Sequence, residues 1–63
     1  MRYYIEKSKE LSALTIAETN SLNDAIKILQ SCRVVEKGYN FTLYALDDDA
    51  TKNGIIVYEK IDL

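Results

Sequence analysis

The hydrophobic positions of this chain change period twice. Residues 2–7 alternate, with Tyr3 and Ile5 on one side and Tyr4 and Glu6 on the other. Residues 11–19 alternate again, Leu14 and Ile16 facing one way and Thr15, Ala17 and Thr19 the other. A period of two is that of a half-buried strand. The polar break Ser8-Lys9-Glu10 has the length of a hairpin connection, so the two runs are expected to pair antiparallel.

From residue 22 the spacing becomes helical. Leu22, Ala25, Ile26, Leu29 and Cys32 form one apolar stripe with Ile28 at its edge. Ser21-Leu22-Asn23-Asp24 supplies the start signal: the Ser21 hydroxyl can accept from a first-turn amide, and the Asp24 carboxylate suits a helix N-terminus. Two signals compete for the other end. The β-branched pair Val34-Val35 points to a stop near Cys32, and Gly38 as a cap points to one near Lys37.

Alternation returns over residues 39–46, with Tyr39, Phe41, Leu43 and Ala45 opposite Asn40, Thr42, Tyr44 and Leu46. It returns once more over residues 55–63, with Ile55, Val57 and Ile61 opposite Ile56, Tyr58 and Lys60. Asn53-Gly54 between them is the strongest turn signal in the chain, since both residues tolerate positive φ. The reading is one α+β domain over residues 1–63, of order β-β-α-β-β: a four-stranded antiparallel sheet with one helix packed on one face. Two hairpins can join through more than one edge, so strand order stays open. The expected core is Leu14, Ile16, Leu22, Ala25, Ile26, Leu29, Cys32, Phe41, Leu43, Ile55 and Val57. One helix covers one face. Nothing else in the sequence is expected to cover the other.

Composition adds exclusions. The chain has 63 residues, 48% hydrophobic and 29% charged, in the range of a globular protein rather than a disordered one. One cysteine forms no internal disulfide, and no apolar run approaches the roughly 20 residues of a membrane helix. Residues 1–6 carry no signal-peptide pattern, so a cytoplasmic location is expected. For this mass, burial contributes on the order of 95 kcal/mol and chain ordering costs on the order of 95 kcal/mol. A margin so near zero favours sharing a surface with another copy, and a homodimer is expected.

Catalytic chemistry is thin. There is no histidine, the commonest general base, and Cys32 sits on the apolar stripe, where a thiol packs as a small hydrophobe. Asp47, Asp49, Thr51 and Asn53 recur at the spacing of a calcium loop, but Lys52 and Tyr58 stand where that loop needs Gly and Glu. Neither Gly38 nor Gly54 opens a helix, so no phosphate cradle is present. No enzyme, metal or cofactor is expected.

The net charge is −2, divided as +1 over residues 1–37 and −3 over residues 38–63. That weighs against a general nucleic-acid binder, which carries a basic excess. Aromatics are the remaining feature. Tyr3, Tyr4, Tyr39, Phe41, Tyr44 and Tyr58 all fall on strand runs and must divide between the two faces. Those on the uncovered face would supply contact area at low entropic cost. The expected partner-binding residues are Tyr4, Tyr44 and Tyr58, together with Asp47, Asp48 and Asp49, which could offer negative charge to a basic groove. The leading expectation is a small non-enzymatic binding protein, of regulator or inhibitor type, that occupies another protein. The alternative is a nucleic-acid or nucleotide binder stacking bases on the same tyrosines, with Arg2, Lys7, Lys9 and Lys60 as its cations. In size and in its Ile-, Lys-, Asn- and Tyr-rich composition the chain resembles accessory proteins of AT-rich bacteria and their phages.

Overall fold

The computed structural model describes residues 1–47, Gly54 and residues 58–63. It shows an α+β fold in the order β1 (Arg2–Lys9), β2 (Ser12–Thr19), α1 (Leu22–Val35), β3 (Asn40–Leu46) and β4 (Tyr58–Ile61). The strands form one antiparallel sheet in the order β2-β1-β3-β4. The N-terminal strand is therefore central, and β2 and β4 are the edges. Gly54, in the turn before β4, has φ +75°, the left-handed conformation that favours glycine. The expected core residues Ile55 and Val57, and the first part of the expected fourth strand, lie outside the described residues.

The hairpin turn falls two residues later than the polar break suggests. β1 continues to Lys9, which pairs with Ser12, and Glu10-Leu11 makes the turn with Glu10 at φ 55°.

The helix begins where its cap signal lies. Ser21 is extended (φ −108°, ψ 121°), the Asp24 amide donates to its hydroxyl at 3.3 Å, and the Ala25 amide donates to its carbonyl at 3.0 Å. Its end falls between the two expected stops. The last helical residue is Val35, and the Glu36 amide still donates to the Cys32 carbonyl at 2.9 Å. The β-branched pair is tolerated because a propensity difference of a few tenths of a kcal/mol yields to tertiary packing.

α1 lies over β1, β2 and β3. Ile5, Ala25, Leu29, Phe41 and Leu43 form the core, with Tyr3, Ala17, Ile26, Ile28, Cys32 and Ile61 partly buried against it. Cys32 thus packs beside the core, as its place on the stripe implied. Three expected core residues do not belong to it. Leu22 is 40% exposed, because a helical side chain lies over the preceding turn and the first helical residue has none. Leu14 and Ile16 are 66% and 39% exposed.

The two are displaced for different reasons. Ile5 pairs with Ala17 but Glu6 pairs with Thr15, so Ile16 is the extra residue of a β-bulge. Strict alternation fails across it: Ala17 and Thr19 share the helix side with Ile5 and Tyr3, while Thr15 and Glu18 pair with Glu6 and Tyr4 on the other. Leu14 returns to the helix side opposite Lys7, toward the end of an edge strand, where little covers it.

Candidate functional site

The sheet face away from α1 has no layer over it among the described residues. Register places Arg2, Tyr4 and Glu6 of β1 on this face, opposite Leu46, Tyr44 and Thr42 of β3. β4 adds Tyr58 beside Leu46 and Lys60 beside Tyr44, and β2 adds Glu18 beside Tyr4 and Thr15 beside Glu6. Tyr4, Tyr44 and Tyr58, expected from alternation as contact residues, are brought together here. Tyr4 and Tyr44 are half-buried cross-strand partners, and Tyr58 is exposed. The Tyr4 and Tyr58 rings meet edge-to-face at 6.2 Å between centroids and 72° between planes. This arrangement suits the ring quadrupoles and holds both side chains in place. Tyr4, Glu6, Thr15, Tyr44 and Tyr58 line a groove of about 540 Å³.

The other aromatics lie on the helix side. Phe41 is buried in the core, Tyr3 packs against it, and Tyr39 sits beneath two lysines, with Lys7 Nζ 4.1 Å and Lys9 Nζ 5.2 Å from its ring centroid. Lys7 also donates to the Glu36 carboxylate, and that hydrogen bond raises the lysine above its ordinary value of 10.5. Of the four cations grouped with the tyrosines from sequence, Lys7 and Lys9 therefore stand away from Tyr4, Tyr44 and Tyr58. Arg2 and Lys60 remain on the open face. Arg2 lies 3.6 Å from Glu18, and Lys60 lies 3.9 Å from Asp62.

Of the acidic loop, Asp47 is exposed directly after β3, and Asp48 and Asp49 lie outside the described residues. Strict alternation groups Glu18 with Leu14 and Ile16 on the core side, so the sequence pattern does not point to it as a contact residue. Only the bulge moves it beside Tyr4. A second cavity, of about 700 Å³, lies at the end of the sheet near Arg33, Lys60 and Leu63. Arg33 spans it, donating to the Phe41 carbonyl at 3.1 Å and the Leu63 carbonyl at 2.9 Å. Among the described residues no helix is long and apolar enough to cross a membrane. Comparison with protein-family models, with curated proteins and with solved structures finds no match to this chain.

Proposed function

We propose that this chain is a non-enzymatic binding protein that makes its contact with other protein through the open sheet face. The observation that carries the reading is the cluster of Tyr4, Tyr44 and Tyr58 around one groove, on a face that no other layer of the described residues covers. Tyrosine is suited to such contacts: two of its rings are already fixed against each other, so little rotamer freedom is lost on binding, and each hydroxyl keeps a polar handle. The charge balance of the face favours protein over nucleic acid. Arg2 and Lys60 are accompanied there by Glu18 and Glu6, and a phosphate backbone would meet as many carboxylates as cations. Occupation of a partner, in the manner of a regulator or inhibitor, is the role that follows. A self-associated form belongs to the same reading.

The test is capture of binding proteins on immobilised wild-type chain and on Tyr44→Ala and Tyr58→Ala variants, each confirmed folded by circular dichroism. Loss of the captured species from both variants supports the reading. Full retention by folded variants removes this face from consideration. Binding of single-stranded oligonucleotide that depends on Tyr44 and falls steeply with salt would replace the reading with the nucleic-acid one.

A further inference from the structure

The open face carries a charge pattern that fits a second copy of itself. Glu18 of β2, Tyr4 of β1, Tyr44 of β3 and Lys60 of β4 stand in one transverse row, each the register partner of the next. The row is acidic at one end, aromatic in the middle and basic at the other. A twofold axis parallel to the strands, running between β1 and β3, lays a second copy over the first with this row reversed. Glu18 then faces Lys60 of the second copy, Lys60 faces its Glu18, and Tyr4 and Tyr44 lie over one another. In the flanking rows Arg2 falls on Leu46 and Glu6 falls on Thr42, whose hydroxyl can donate to the carboxylate. Among the described register pairs no like charges face one another. The other in-plane twofold, perpendicular to the strands, sets Arg2 against Glu6 but also Glu18 against Glu18 and Lys60 against Lys60, so its charges cancel.

We propose that the occupant of the open face is a second copy of this chain, seated face to face about the axis parallel to the strands. The proposal rests on the reading of this face as a protein-contact surface and names what covers it. Aligned sheets pack about 10 Å apart, a gap that a lysine and a glutamate aimed at one another span. Glu18 and Lys60 are available for this. The pairs they form within the chain, with Arg2 and Asp62, are solvent-exposed, and exposed pairs hold their partners weakly. The area fits a reversible dimer. The 27 strand residues (8, 8, 7 and 4) at about 4.8 Å by 3.3 Å each span about 430 Å² per copy, or about 860 Å² in total. That lies in the range of weak, reversible contacts, so the dimer is concentration-dependent rather than obligate.

The experiment is sedimentation equilibrium at low ionic strength on wild type, Glu18→Lys, Lys60→Glu and an equimolar mixture of the two variants. Both substitutions are at exposed side chains, and circular dichroism confirms their folds. The wild type is expected to be a concentration-dependent dimer. Each variant alone sets like charges against each other twice, and its dimer dissociation constant should rise at least about tenfold. The mixture restores opposite charges at both contacts, and its affinity should return to within about threefold of wild type. A wild type that stays monomeric at every concentration overturns the proposal; if Tyr44-dependent capture of another protein persists, the reading of the face survives and only its occupant was misassigned. A wild-type dimer unaffected by either charge reversal overturns the proposed geometry. If that dimer is also indifferent to Tyr44→Ala, self-association uses another surface, and the reading of the face then stands or falls on capture of other proteins.

Discussion

The bulge at Ile16 predicts that two chemically identical substitutions will differ in cost. Ile5→Val and Ile16→Val each remove one methylene from adjacent, hydrogen-bonded strands. Ile5 is 1% exposed at the centre of the core, whereas Ile16 is 39% exposed. At Ile5 the lost transfer energy adds to that of the cavity, for a cost of about 0.5–1.5 kcal/mol. At Ile16 only the buried share of about 0.8 kcal/mol applies and water fills the space, leaving about 0.5 kcal/mol at most. Urea unfolding followed by circular dichroism resolves the difference. A small domain has a slope of about 1 kcal/mol per molar urea, so Ile5→Val should move the midpoint by about 1 M and Ile16→Val by less than half as much. A chain of this length has roughly 3–9 kcal/mol of stability in all, so the Ile5 shift is a readable fraction of the whole. Measurements at several protein concentrations separate fold stability from any contribution of association. A cost at Ile16 equal to or larger than that at Ile5 would refute the bulge and return Ile16 to the core. Leu14→Ala extends the test: its side chain is two-thirds exposed, so the expected cost is about 0.8 kcal/mol, against about 2–5 kcal/mol for Leu29→Ala.

Two further expectations concern the helix. Ser21→Ala removes the acceptor of the Asp24 amide and should cost about 1 kcal/mol. That lowers the thermal midpoint by about 4–8 °C in a scanning-calorimetry comparison, and an unchanged midpoint would mean water caps the helix equally well. The Lys7–Glu36 pair predicts a pH dependence. The Lys7 pKa is raised in the folded chain by the Glu36 hydrogen bond, so the stabilisation is fully present below the unfolded lysine value of 10.5 and is lost as pH rises through the folded value. Alkaline thermal melts should therefore fall more steeply for wild type than for Glu36→Gln. Parallel curves would show that the pair contributes nothing to folding.

Much of the architecture was legible from local chemistry. The Ser21 start signal, the helical stripe through Ala25 and Leu29, the antiparallel hairpin and the alternation of residues 39–46 all appear as local physics implies. Tyr4, Tyr44 and Tyr58 meet on one face because a strand's alternation survives into the sheet wherever its ladder is regular. The failures trace to places where it is not. A bulge inserts one residue and reverses the side assignment beyond it, and nothing in Leu14-Thr15-Ile16-Ala17 marks which residue is extra. That single shift removed Ile16 from the core and brought Glu18 to the open face, whereas Leu14 keeps its side and is exposed near the end of an edge strand. Strand order was equally hidden. The contacts that make β1 central are formed with β3, across the helix, and no local signal in either strand specifies a partner so distant.

The central place of β1 has a consequence for how the chain is made. Its partners in the sheet are β2, complete at Thr19, and β3, complete at Leu46. At ordinary elongation rates roughly 1–5 seconds pass between those two points. During that interval the first hairpin has an unpaired inner edge, and an isolated hairpin is marginally stable in water. Ile5, at the heart of the finished core, lacks its partner Leu43 until then. The hairpin of β1 and β2 thus keeps one bare inner edge until β3 pairs with it. β1, made before both of its partners, is enclosed only when the later of them is in place.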